Sequence, residues 1–249
     1  MLKIDERGAV SPQIYSALRE AIITMTLKPG QALSEKEIGI SFGSSRQPVR
    51  EAFIKLAEAG LVRILPQRGT YVVKVSPRQV ADARFVREAV EVAVARHCCL
   101  SASGEALDAL DSVVSQQERA ALADDHAGFL ALDEAFHKGL AEAIGCSEAW
   151  RVIEMGKAQM DRVRYLSLPE ASPMALLIDQ HRSILSAIRA GDADGAAAAV
   201  RIHLREILLA LPRLAKAFPE LFEDEELPGH AADLQPALRQ GDGKVELGA

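Results

Sequence analysis

Four side chains in the second half of the chain have the types and spacing of a metal-ligand set. Asp133 and His137 stand one helical turn apart on a stripe with Phe129, Leu130, Phe136, Leu140 and Ile144. Residues four apart on a helix are neighbours, so the carboxylate and the imidazole sit side by side. His181 lies in the middle of an apolar stripe of Leu177, Ile178, Ile184, Leu185 and Ile188. His203 interrupts a third stripe of Val200, Leu204, Ile207, Leu208 and Leu211. Four ionisable groups on three inward faces would each cost several kcal/mol if buried without a partner. A divalent metal is the economical shared partner, because three neutral imidazoles and a carboxylate suit zinc, with nickel or manganese as alternatives. His97, His126 and His230 have no such placement and are read as ordinary histidines.

A second group of residues suits nucleic acid. Ser45 is a good N-cap for a helix running to Gly60, with Val49, Ala52, Phe53 and Leu56 as its buried face. Arg46, Gln47 and Arg50 in its first turns point away from that face. The preceding helix starts at Ser34, with Glu37 in the capping-box position, and is broken at Phe42-Gly43. Two helices joined by a tight turn, with forked donors at the start of the second, read as a helix-turn-helix that enters a major groove. Arginine there can pair with guanine and glutamine with adenine. Leu61 to Ile64 and Thr70 to Val75 are β-prone runs around Leu65-Pro66-Gln67-Arg68-Gly69, a hairpin with a basic tip that forms a wing.

These elements resemble known families. Leu27-Lys28-Pro29-Gly30, the run Ser45 to Ala52, Glu58-Ala59-Gly60-Leu61-Val62 and Arg68-Gly69-Thr70-Tyr71-Val72 resemble the amino-terminal domain of GntR-type bacterial transcription regulators. The resemblance implies that Arg46 and Arg50 touch bases or nearby phosphates, with Lys36, Ser45, Gln47, Arg68 and Gly69 completing the DNA-contacting set. Gln47 stands where threonine is more usual, which could shift base preference. Asp133 and His137 within LDEAFHKGL, His181 within DQHRSIL and His203 within VRIHL resemble the metal pattern of the FCD ligand-binding domain of the FadR subgroup. In that subgroup the metal's open positions and nearby arginines hold a small carboxylate effector. Arg87 matches the usual arginine of the first bundle helix, and Arg164 is a weaker match. The branch that responds to fatty acyl-CoA lacks this quartet, which argues against such a ligand.

The elements that must position these residues are mostly α: an N-terminal winged helix-turn-helix and a C-terminal all-helical, FCD-like bundle of about six helices. Residues 1–10 read as a loose arm, 11–75 as the DNA-binding domain, 76–217 as the effector and dimerisation domain, and 218–249 as an acidic, mobile tail. Ser11-Pro12 and Ser76-Pro77 are cap-plus-proline helix starts. Bundle helices are expected at 77–99, 104–122, 125–144, 147–168, 172–190 and 192–216, with Ser172-Pro173 opening the fifth.

Charge supports this division. Up to Ser76 eleven basic and seven acidic residues give +4, and the remaining 18 basic and 28 acidic residues give −10. A basic head on an acidic body suits phosphate contact by the head alone. No apolar run reaches the length of a membrane span, and the start lacks the apolar segment of a signal peptide. Cys98, Cys99 and Cys146 form no disulfide framework, so a reducing bacterial cytoplasm is expected. The reading is a homodimeric, metabolite-responsive regulator, a repressor, that binds a pseudo-palindromic operator and is not an enzyme. Its rivals are a regulator that senses the metal itself and a metal-dependent hydrolase. The hydrolase lacks any additional base or nucleophile motif.

Overall fold

The computed structural model describes residues 9–168 and 173–232. Residues 1–8 of the expected arm, Ser172 and the tail beyond 232 lie outside the described residues. The head begins with α1 (Val10–Ile23), whose Ile14, Leu18 and Ile22 are buried. The helix starts one residue before Ser11, with Ala9 at the N-cap and no side-chain cap. The expected Ser11 cap is therefore not formed, because Ser11 is already inside the first turn.

Strand β1 (Ala32–Leu33) leads into α2 (Glu35–Ser41), where Ser34 caps by accepting from the Glu37 amide at 3.3 Å. The turn to α3 (Arg46–Glu58) is tight. A Cβ on Gly39 would meet the Ser44 carbonyl at 3.0 Å, and Gly43 has φ +61°. Strands β2 (Val62–Leu65) and β3 (Gly69–Val72) form the wing in the register Arg63↔Tyr71 and Ile64↔Thr70. Strand β1 pairs with the outer side of β3, a third strand too short for sequence patterning to reveal. Val49, Ala52, Phe53 and Leu56 of α3 close onto α1 and the sheet in one core.

The body contains α4 (Pro77–Ser101), α5 (Gly104–Leu122), α6 (His126–Ala143), α7 (Ser147–Gly156), α8 (Ala158–Ser167), α9 (Met174–Arg189) and α10 (Ala193–Ala217). The helix expected over 147–168 is thus two helices, so the described residues of the bundle form seven long helices where about six were expected. The break falls at Gly156-Lys157, where Lys157 turns its ammonium inward to Glu134 at 3.0 Å and Asp161 at 2.8 Å. Gly156 weakens the helix locally, and the inward ion pairs of Lys157 accompany the break.

Within the tail expected to be mobile from residue 218, the described residues are instead held in place. Residues 219–232 dock where head meets body. The Val75 amide donates to Leu221 O at 2.8 Å, and the Glu223 amide donates to Val75 O at 2.9 Å. Phe222 is buried, Ser76 Oγ donates to Glu225 at 2.6 Å, and α11 (Gly229–Ala232) buries Ala231. Acidic and Pro/Gly-rich composition hid the two apolar anchors that hold this segment.

Candidate functional site

Helices α6, α9 and α10 bring Asp133, His137, His181 and His203 together, all buried, with one ligand atom from each within 4.8 Å of the others. Each imidazole is oriented through its Nδ1. Gln117 donates its amide to Leu132 O at 3.1 Å, which leaves its Oε1 facing His181 Nδ1 at 2.8 Å. Gln180 donates to Glu206 at 3.0 Å, which leaves its Oε1 facing His203 Nδ1 at 3.0 Å. An oxygen acceptor requires the proton on Nδ1. His137 Nδ1 is 2.6 Å from Glu91 Oε2, a contact bent away from ideal hydrogen-bond alignment but too close for two lone pairs.

All three Nε2 atoms therefore present lone pairs to one another. His137 Nε2 and His203 Nε2 are 3.0 Å apart, and His181 Nε2 is buried with no hydrogen-bond partner. Asp133 adds its two oxygens at 3.4 Å from His181 Nε2 and 3.7 Å from His137 Nε2. A shared proton is disfavoured. Burial is the main cause holding His181 and His203 well below 6.5, and burial also lowers His137 against the pull of Glu91. A cation that accepts lone pairs resolves what a proton does not, so the donor set fits a divalent metal.

Arg87 and Arg164, whose orientation periodicity left open, both point inward. Arg87 pairs with Glu91 and keeps its Nη2 buried without a partner. Arg164 donates to Asp133. Both line a cavity of about 40 Å³ with Asp133 and His203. Glu91 is held down to about 2, burial being outweighed by Arg87 and His137, so it stays a carboxylate.

Sequence reasoning missed Glu91, Gln117, Gln180, Lys157 and Asp161. A usable signal existed for Gln117, a fully buried amide on the stripe of Leu110 and Val114, the anomaly that singled out the histidines. Asp161 joins the two domains. It accepts from Arg19 of α1 at 2.7 Å and from Lys157 at 2.8 Å, with Arg164 at 3.6 Å. Nearby, Gln159 donates to Gly60 O at 2.6 Å.

On the head, Lys36, Ser45, Arg46, Gln47, Arg50, Arg68 and Gly69 are all exposed. Arg46 opens α3, and Ser45 occupies the N-cap position without a side-chain bond. Gln47 donates to Glu51 at 3.2 Å. Both forks of Arg50 are held by Glu35, at 2.9 and 3.0 Å. Tyr71 pins the wing tip by donating to Arg68 O at 2.7 Å, and Gly69 takes φ +106° there.

A winged helix-turn-helix head on a helical body with an enclosed polar site defines a DNA-binding transcription regulator. Residues 11–72 match the model of bacterial regulatory proteins of the gntR family, and residues 82–206 match the FCD domain. The chain is 42% identical over 216 residues to the HTH-type transcriptional repressor RspR of Escherichia coli, spanning 87% of this chain and 95% of that protein. An HTH-type transcriptional regulator in an unstable DNA locus of Streptomyces ambofaciens is 40% identical over 209 residues, 84% of this chain and 88% of that one. The solved structure of E. coli McbR/YncC shares the fold, with a TM-score of 0.70 over 85% of this chain and 99% of that one at 19% identity. The chain belongs to the GntR family of transcription regulators, with an FCD domain as its body. Its relatives are regulators and not enzymes.

Proposed function

We propose that the protein is a homodimeric repressor whose operator affinity is set by a small carboxylate bound at a zinc ion in the body. The observation that carries this is the convergence of three lone-pair-bearing Nε2 atoms and Asp133, with a partnerless Arg87 Nη2 beside them. Asp133, His137, His181 and His203 would hold the metal, which supplies a Lewis-acidic position for an anion; nickel or manganese also suits these donors. Arg87 and Arg164 would bind the effector carboxylate, since guanidinium pairs with carboxylate in a bidentate fork. Glu91, Gln117 and Gln180 orient the imidazoles.

Arg46 and Gln47 would read base edges, and Arg50, Lys36, Ser45, Arg68 and Gly69 would position the head on phosphates and in the minor groove. The repressor assignment is supported by the name of the E. coli relative. Two heads on a pseudo-palindromic operator require a dimer; the exposed apolar Val86, Val152 and Met155 along one groove offer a face for the second copy. A regulator acting on operator DNA would work in the bacterial cytoplasm; no described helix is long and apolar enough to cross a membrane. Arg164 touches both Asp133 and Asp161, and Asp161 holds Arg19 of the head. An effector that draws Arg164 away would loosen this joint and change the spacing of the recognition helices, a coupling of about 1–3 kcal/mol.

Elemental analysis tests the metal: about one ion per protomer is expected, reduced strongly in His181→Ala and His203→Ala but not in His126→Ala. Full occupancy in the first two variants would remove the site. Operator titrations of zinc-loaded protein with small acids test the effector.

A further inference from the structure

The cavity beside the four candidate ligands has a charge balance and a wall chemistry that narrow what can occupy it. Building on the carboxylate reading above, we propose that the effector is a short monocarboxylate with an apolar body, and not a dicarboxylate or a polyhydroxylated sugar acid.

Charge comes first. Arg87, Arg164 and a divalent ion would supply four positive charges around the cavity, against three negative charges on Glu91, Asp133 and Glu206. One added carboxylate closes that balance. A second would be buried without compensation, which costs several kcal/mol. The neighbouring Asp161 and Glu134 do not alter the count, because Lys157 and Arg19 match them. The partnerless Arg87 Nη2, on a residue only 3% exposed, is a donor awaiting an acceptor.

The walls settle the rest of the ligand. Away from the arginines and ligands, the cavity is lined by Phe129, Leu130, Leu177, Leu204 and Ile207. Among the described lining residues the one hydroxyl belongs to Ser167, and it already donates to Arg164 O at 3.0 Å. Gln117 and Gln180 have both ends of their amides engaged with the imidazoles and their supports. Beyond the two arginines and the candidate metal ligands, the lining residues that could receive a hydroxyl are the Glu206 carboxylate and the acceptor lone pairs of Ser167, so most hydroxyls of a sugar acid would forfeit their hydrogen bonds to water.

Size points the same way. The space of about 40 Å³ takes about three water-sized groups. A short acid already fills this space, and a six-carbon polyol acid would have to push the walls much further apart.

The test uses full-length protein loaded with cobalt(II), whose visible spectrum reports a carboxylate entering the metal's coordination shell. Butyrate, succinate and D-gluconate are compared by calorimetry and by that spectrum. Butyrate is expected to perturb the spectrum and to bind at least about tenfold more tightly than either other acid. Leu177→Asn is expected to weaken butyrate about tenfold, the loss of one apolar wall, with cobalt stoichiometry unchanged. The comparison among acids on the wild-type protein stands without the variant. Equal or tighter binding of succinate or gluconate at the metal overturns this inference and leaves the carboxylate reading intact. If none of the three acids changes the cobalt spectrum, both fall together.

Discussion

The joint between Arg19 and Asp161 makes a quantitative prediction. Arg19 comes from the first helix of the head, with its side chain 26% exposed, and Asp161 from the body, with its side chain 9% exposed. Their contact at 2.7 Å is a charge-assisted hydrogen bond in a poorly solvated position. Arg19→Ala leaves Asp161 paired with Lys157, so the loss belongs near the low end for bonds to charged groups, roughly 1.5 kcal/mol. Asp161→Asn strips Lys157, 2% exposed, of one of its two carboxylates, and should cost more, roughly 3 kcal/mol. In the double variant the Arg19 term is already gone, so the double-mutant cycle should return an interaction of about 1–2 kcal/mol. Trp150, the chain's one tryptophan, lies 5.8 Å from Lys157 and makes fluorescence-detected urea unfolding a local reporter of the joint. The same four proteins should be titrated with operator DNA, zinc-loaded and chelator-treated. If Arg19 and Asp161 transmit the state of the site, either single variant should shrink the difference between the two titrations. An interaction below about 0.3 kcal/mol, with the zinc-dependent difference unchanged, would refute the joint as the link.

The remaining predictions address the head and the histidines. Arg46→Ala and Arg50→Ala should each weaken operator binding in gel shifts by about 1–3 kcal/mol, with Arg46→Ala also relaxing specificity; unchanged affinity in both would remove α3 as the recognition helix. Glu35→Gln should tighten binding to operator and scrambled DNA alike, because Glu35 competes with phosphate for both forks of Arg50; weaker binding would mean that Glu35 instead presents Arg50 to the DNA. His181 and His203 have folded-state pKa values depressed below 6.5, so their contribution is present above 6.5 and lost as pH falls below it. Thermal melts of metal-free protein should therefore decline on acidification by up to about 1.4 kcal/mol per histidine per pH unit, while zinc-loaded protein holds its stability further down. A flat profile for the metal-free protein from about pH 7 to 5 would contradict neutral, buried imidazoles.

Much of this protein is determined by its sequence alone, because the signals are local. Helical periodicity on the stripes of α6, α9 and α10 exposed Asp133, His137, His181 and His203 as polar groups at core positions, and burial of a stripe is nearly independent of what it packs against. Caps at Ser34 and Ser76, together with the glycine at position 43, marked element ends by rules that involve only a few neighbouring residues. Tertiary structure decided what depends on partners distant in the chain. Arg87 lies on a helix buried from two sides, where Val80, Arg84 and Glu91 face one way and Ala81 and Val92 another, so its direction follows from the packing of α6 and α10. The break at Gly156-Lys157 has a weak local trace in the glycine, but the carboxylates of α6 and α8 that draw Lys157 inward come from folding. The docked segment at 219–232 depends on Val75 offering its backbone amide and carbonyl to Leu221 and Glu223 across more than half the chain. The tautomers of the three imidazoles depend on Glu91, Gln117 and Gln180, and only folding brings those acceptors to the Nδ1 atoms and turns three core histidines into one convergent donor set.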